Sequence, residues 1–268
     1  YEMTSSLVGS EMCIRDSMKG GQFMDFYNRG SKFYRWIVKK NMDMQTQVWF
    51  EGMPSLDIVK RISNTHLVYY PNYVVEENIA NVVSERPKDR INLCYFGRVT
   101  PEKKVDVVIK AFDMLCKKYD DVFLTIIGGS GFSKEYVKDI DAMIDNSPYK
   151  SHIVRKGLTP FAEIKEIMQS QHFFVFPSKE RCEGHSNSLN EAMAQGLVPI
   201  VSDYHFNRAI VGDDRMIVDG YDPQAYADKI IQIRENYDLK KLSIEMRDRV
   251  KTAFSYNCLL YTSDAADE

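Results

Sequence analysis

Residues 172–203 read HFFVFPSKERCEGHSNSLNEAMAQGLVPIVSD. An apolar run of strand length ends at Pro177, a polar loop follows, a helical segment begins at Ser186 or Asn187, and a second apolar run, LVPIVS, starts at Leu197. Both runs are nearly continuous in apolar residues rather than alternating, the pattern of strands buried on both faces of a parallel sheet. The unit recurs outward from this stretch, with INLCYFG at 91–97, VFLTIIG at 122–128, HIVRKG at 152–157 and a weaker RMIV at 215–218. Between the runs lie segments of helical period. Residues 104–118 place Val105, Val108, Ile109, Phe112 and Leu115 on one face, and 161–170 and 187–195 do the same more briefly. Strand and helix in strict alternation require right-handed crossovers, so the expected fold is α/β with an open, doubly wound, Rossmann-like parallel sheet.

Upstream the pattern is thinner. One aromatic-rich helix is expected over roughly 22–40, then a strand in TQVWFEG, a helix in PSLDIVKRIS and a strand in THLVYYPNYVV. That is too little to close a sheet, so residues 18–75 read as the remnant of a second Rossmann-like domain. A polar connector, EENIANVVSERPKDR, leads into a larger domain at 76–257, closed by helices over 222–235 and 239–254.

The composition of the 268 residues, 44% apolar and 27% charged, is that of a globular protein. No apolar run approaches the roughly 18 residues of a membrane span, and the five cysteines are scattered without metal or disulfide spacing. The two ends are anomalous. EMCIRDS at 11–17 can be written as GAG ATG TGT ATA AGA GAC AG, and the reverse complement of that string, read one base in, encodes CLLYTS at 258–263. No physical reason makes a protein begin and end on reverse complements of one DNA string. Residues 1–17 and 258–268 therefore read as translated sequencing-adapter sequence and are set aside. Doing so removes Glu2, Glu11, Asp16, Asp264, Asp267 and Glu268 against Arg15, and the net charge moves from −3 to +2. The acidity implies nothing about partners, and no nucleic-acid partner is expected.

Chemistry gathers in two places. In 176–203, Glu183 lies in the loop and Glu191 eight positions on, inside the helix. Ligands of open α/β sheets bind at the carboxyl ends of strands, where this loop belongs. The helix start offers free N–H groups and partial positive charge to an anion, and Ser186, Asn187 and Ser188 are small enough to let one approach. By spacing alone, Glu183 reads equally well as a solvated loop charge and Glu191 as a helix cap. The second place is FGRVTPEKKVDVVIKAF at 96–112, where Gly97 ends a strand and Arg98 and Lys103 follow. Two cations there can clamp a diphosphate, Arg through its planar fork and Lys as a point charge. The glycines of IIGGSGF at 126–132 read as a tight turn, lacking the third glycine of a dinucleotide fingerprint. Asp139-Ile-Asp141 matches a metal-binding string, but its helical context points the two carboxylates apart. No metal is expected.

Together with PNYV at 71–74, these segments resemble, in order and spacing over roughly 60–235, glycosyltransferase family four: retaining, nucleotide-sugar-dependent transferases of the GT-B fold. The resemblance implies that Arg98 and Lys103, beside Gly97, hold the donor diphosphate. Amides near Ser188 and Leu189 would meet its distal phosphate. Glu183 would stand beside the transferred sugar, in the catalytic position, and Glu191 would bind the ribose hydroxyls. Two departures stand out. Lys104 occupies a position where the family often has Gly, and His185 one where an aromatic or small residue is common. His185 reads as a donor-sugar contact or as a structural loop histidine. The resemblance further implies no cofactor, a nucleotide-sugar donor, a glycan or lipid-linked acceptor, and a role in cell-surface polysaccharide synthesis. It places the protein in a bacterial cytoplasm, with peripheral association at the inner face of the membrane. The piece as written, with little acceptor domain, is expected to transfer little or nothing. The competing readings are a GT-B nucleotide-sugar epimerase and a non-catalytic donor-binding subunit of a two-chain transferase.

Overall fold

The computed structural model describes residues 16–19, 23–52, 56–130, 133–179 and 184–258. The chain divides into two compact units, 1–70 and 71–268.

The smaller unit holds three parallel strands in the order β1 (Asp16–Lys19), β2 (Gln47–Phe50) and β3 (His66–Tyr69). Strand β1 thus starts inside the stretch that the sequence reading sets aside. The single helix expected over 22–40 is two, α1 (Phe23–Arg29) and α2 (Lys32–Asp43). The break falls at Gly30-Ser31. Ser31 is extended and its hydroxyl accepts from the Tyr34 amide at 3.1 Å, so it starts a new helix as an N-cap. Helix α3 (Leu56–Ile62) joins β2 to β3, and Met42, Val48, Val59 and Ile62 form a small core.

The larger unit is built on six parallel strands: β4 (Ile91–Phe96), β5 (Val122–Ile127), β6 (Ile153–Lys156), β7 (Phe173–Phe176), β8 (Val198–Ser202) and β9 (Ile217–Val218). They lie side by side as β6-β5-β4-β7-β8-β9. Each apolar run of the sequence is one of these strands, and β4, β7 and β8 are buried at every residue. The chain moves outward from β4 to β6, returns to pair β7 against the free side of β4 (Leu93 opposite Phe173), and moves outward the other way. The strand order therefore reverses between β4 and β7, which opens a crevice at their carboxyl ends.

Right-handed crossovers running in opposite directions put the connecting helices on opposite faces. Helices α4 (Val105–Cys116), α5 (Lys134–Asn146) and α6 (Phe161–Met168) follow β4, β5 and β6. After the reversal come α7 (Asn187–Ala194), α8 (His205–Val211), α9 (Pro223–Asn236) and α10 (Leu239–Ala253). Helix α4 packs against α9, and α7 against α10. The core between is aromatic at its centre. The Phe174 ring lies 5.1 Å from Phe96 and 5.4 Å from Phe176, all fully or nearly fully buried. The unit also takes in residues 71–75, since Val74 bridges to Ser255 and its amide donates to the Phe254 carbonyl at 2.8 Å.

Candidate functional site

The crevice between β4 and β7 collects most of the residues singled out in the sequence. Gly97 follows β4 with φ +141°, a conformation that a side chain resists, and a Cβ placed there would lie 3.8 Å from the Ser188 hydroxyl. The turn after β4 thus touches the first turn of α7. Gly128, at the end of β5 with φ +138°, is still more constrained, because a Cβ there would come within 1.9 Å of the Gly97 carbonyl oxygen. Two adjoining strand ends meet backbone to backbone, and the Val99 amide donates to the Gly129 carbonyl at 2.9 Å. The buried Tyr95 hydroxyl donates to the Arg98 carbonyl at 2.6 Å and fixes the turn from below. Of the glycine stretch, Gly131 and Phe132 lie outside the described residues.

On this floor stand the two cations. Arg98 is exposed, with no ion-pair or hydrogen-bond partner for its guanidinium among the described residues. Lys103, in the short 3-10 turn Pro101–Lys103, is buried, and its ammonium lies 4.8 Å from the centre of the Phe176 ring. That ring ends β7, so Lys103 is carried from the β4 loop to the carboxyl end of the neighbouring strand, where a cation–π contact holds it. A backbone bond from the Lys179 amide to the Glu102 carbonyl, 2.6 Å, ties the two loops together. The backbone reason for the family's frequent Gly at 104 is visible here. Lys104 has φ 53° and ψ 42° and is the one non-glycine residue with positive φ among the described residues, at the join between the turn and α4.

Helix α7 supplies the other wall. Ser186 caps it, its hydroxyl accepting from the Leu189 amide at 3.4 Å and lying 3.2 Å from the Ser188 hydroxyl. Of the two amides expected to meet an anion, that of Leu189 is engaged by the cap. Those of Asn187 and Ser188 have no partner among the described residues. Glu191 falls three and four positions after Ser188 and Asn187, on their face of the helix. It is half-buried, its carboxylate has no hydrogen-bond or ion-pair partner among the described residues, and burial pushes the carboxyl pKa up to about 7. Glu183, the expected catalytic glutamate, lies outside the described residues.

His185 is placed differently from the others. Its ring is buried, edge-on to Phe254 at 4.8 Å, and its Nε2 accepts from the Asn190 side chain at 2.9 Å. The same Asn190 amide donates to the Asn72 carbonyl at 3.0 Å, and the Asn72 side chain donates to the His185 carbonyl at 2.6 Å. This clasp, which sequence reasoning missed, pins the loop that enters α7. A second one lies beneath the start of the β7–α7 loop. There the buried Asn207 side chain donates to Ser178 and Ser202, and the Ser202 hydroxyl donates to the Ser178 carbonyl at 2.6 Å. The signal for both was a lone Asn on an apolar helix face, which needs buried partners. Asp139 and Asp141 lie on α5, where Asp141 pairs with Arg155 at 3.4 Å. Among the described residues no cluster of three His, Cys, Asp or Glu side chains is arranged to hold a metal ion.

Cations and free helix amides at a strand-order reversal are a common arrangement, and comparison with known proteins narrows it. The chain shares its α/β parallel-sheet fold with GT-B enzymes. It superposes with TM-score 0.69 on TarM of S. aureus, solved with fondaparinux, α-GlcNAc-glycerol and UDP, at 19% identity over 87% of this chain and 46% of that one. Sucrose-phosphate synthase of Thermosynechococcus elongatus gives TM-score 0.74 at 17% identity over 94% of this chain and 68% of that one. In sequence, the chain is 27% identical over 169 residues to an uncharacterised glycosyltransferase of Methanocaldococcus jannaschii, 60% of this chain and 40% of that protein. It is 24% identical over 224 residues to YtcC of Bacillus subtilis, a glycosyltransferase by assignment only, covering 78% of this chain and 54% of that protein. The chain thus spans about half the length of these relatives. The family model for glycosyl transferases group 1 matches residues 76–253, from the connector to the end of α10. With the match running across the whole crevice and most of the chain, the protein belongs to the glycosyl transferases group 1 family.

Proposed function

We propose that this chain is the donor-binding part of a retaining glycosyltransferase of family four. The complete protein would move a sugar from a nucleoside-diphosphate sugar to a glycan or lipid-linked acceptor in cell-surface polysaccharide synthesis. The observation that carries this reading is the convergence of Arg98, Lys103 and the open amides of Asn187 and Ser188 on one crevice, with the partnerless Glu191 carboxylate one turn away. Three kinds of positive group suit a diphosphate, and a carboxylate spaced from them suits the ribose diol. UDP bound in the TarM structure is in keeping with such a ligand.

The chemistry follows from charge. As the bond between the anomeric carbon and the phosphate oxygen breaks, its electron pair goes to the leaving diphosphate and the sugar becomes cationic. Arg98, Lys103 and the α7 amides stabilise the growing negative charge more than the ground state, which is what accelerates the step. The acceptor hydroxyl bonds to the anomeric carbon on the face the diphosphate leaves, and its proton passes to a phosphate oxygen. Glu183 would stand beside the sugar and steady its positive charge. Removing one such donor typically lowers the rate about 10²–10³-fold.

Peripheral membrane association rests on a separate feature. Along α2, Phe33 (69% exposed) and Trp36 (56%) face solvent with Lys32, Arg35, Lys39 and Lys40 close by in sequence, a composition suited to an anionic bilayer surface. A blue shift of Trp emission on adding anionic vesicles, lost in Trp36→Ala, is the expected outcome.

The donor reading is tested by titrating UDP and pyrophosphate separately. Arg98→Ala should weaken both, whereas Glu191→Gln should weaken UDP alone. Equal effects of Glu191→Gln on the two ligands would contradict the ribose assignment.

A further inference from the structure

The opposite edge of the same sheet carries a recess with no part in the chemistry above. It has a volume of about 460 Å³ and lies at the amino ends of β4 and β7, between the connector, the end of α9 and the start of α10. That volume falls in the range of small-molecule sites. Its lining includes Arg86, Lys88, Arg90, His172, Arg234 and Lys240. Only two lining residues are acidic, and both are engaged: Glu85 pairs with Lys240, and Asp238 caps α10 by accepting from the Lys240 and Lys241 amides. Arg86, Lys88 and Arg234 have no carboxylate within ion-pair distance among the described residues.

The cations are held in place by the fold. Arg86 is largely buried, one terminal nitrogen donating to the Ser243 hydroxyl at 2.8 Å and the other to the Gln195 carbonyl at 3.0 Å. Arg234 lies 4.9 Å from the centre of the Tyr119 ring, and Arg90 lies 5.5 Å from that of Phe123. His172 is buried and fixed in one tautomer. Its Nδ1 accepts from the Asn92 amide at 3.1 Å, so Nε2 carries the proton and donates to the Pro87 carbonyl at 2.8 Å. Burial, with the positive fields of Arg86, Arg234 and Arg90 adding to it, pushes the His172 pKa down to about 4. Three arginines are thus near enough to act on one buried ring. Burial also draws Arg86 down to about 10, the mark of a cation without a counter-charge. An uncompensated buried cation is costly, and an anion in the recess would supply what the protein does not.

We propose that this recess is a second anion site, taking a phosphate monoester on Arg86, Arg234 and Lys88. Three monopositive groups in a half-enclosed space match a dianionic phosphate, and planar guanidinium groups suit its oxygens. The site is separate from the crevice, since it lies at the other ends of the same strands.

The test uses the full chain and inorganic phosphate as the probe, by calorimetry, with Arg234→Gln, Lys88→Gln and Arg98→Ala compared after each variant is shown to melt like the parent. Saturable binding weakened about tenfold or more by Arg234→Gln and by Lys88→Gln, but unchanged by Arg98→Ala, is the expected result. Absence of saturable binding overturns the proposal, as does binding lost only in Arg98→Ala, which would put the phosphate in the donor crevice. Lys88 is exposed, so its variant keeps the test valid should an arginine variant fail to fold. A parallel sedimentation with phosphatidate vesicles separates the sources. Vesicle binding reduced by Lys88→Gln identifies a lipid headgroup, and vesicle binding unchanged by it identifies a soluble phosphate ester.

Discussion

Glu191→Gln offers a sharp perturbation, because it separates the cost of a buried charge from the use of that charge. Burial raises the Glu191 carboxyl from 4.5 to about 7. Between those values the folded protein holds a proton that the unfolded chain releases. Stability therefore falls as pH rises through this window and is level above about 7. Each pKa unit is worth about 1.4 kcal/mol, so the full displacement corresponds to an upper bound of about 3 kcal/mol. Glu191 retains some solvent contact, and about 1–3 kcal/mol is the expected range. Gln keeps the shape and removes the charge. The variant should match the parent at about pH 5 and exceed it by that amount at about pH 8. Trp36 and Trp49 both lie in the smaller unit, so urea unfolding of the larger unit is followed by circular dichroism. His172 titrates in both proteins and cancels in the difference. An identical difference between variant and parent at the two pH values would refute the argument that Glu191 is held charged against desolvation.

Other substitutions probe the scaffold around the crevice. Gly128→Ala would drive a methyl into the Gly97 carbonyl and force an L-residue to φ +138°, so a loss of about 3 kcal/mol in a denaturant titration is expected. Lys104→Gly relieves the left-handed join before α4, and the gain should be about 0.5–1 kcal/mol after the added flexibility of the unfolded chain is counted. Asn72→Ala takes from the His185 carbonyl the side-chain donor that pins it, while the Asn72 backbone carbonyl still accepts from Asn190. It should cost about 1–3 kcal/mol and weaken nucleotide binding, which a thermal melt and a titration together would show.

The central strands β4, β7 and β8 were legible because each is buried on both faces, which writes a continuous apolar run into the sequence. The cradle was legible because its members are close in sequence to strand ends: Gly97, Arg98 and Lys103 after β4, and Ser188 and Glu191 after β7. What escaped was built from partners far apart in the chain. Asn72 meets His185 and Asn190 across more than a hundred residues, and the lone Asn190 on its helix face signals that a partner is needed without saying which. The split of the first helix was visible in principle, since Gly30 and Ser31 are a poor helix interior and a good start. The aromatic pattern spanning them masked it. The basic recess draws on residues 84–90, His172 and 234–243, which only the sheet brings together.

The central claim, that the crevice between β4 and β7 binds a nucleoside diphosphate, is tested most directly by calorimetric titration of UDP, GDP and ADP into the full chain, with Arg98→Ala and Glu191→Ala alongside. The account predicts that one of the three binds and that both substitutions weaken it. A chain that melts cooperatively and yet binds none of them, or binds one with no effect from either substitution, would contradict it.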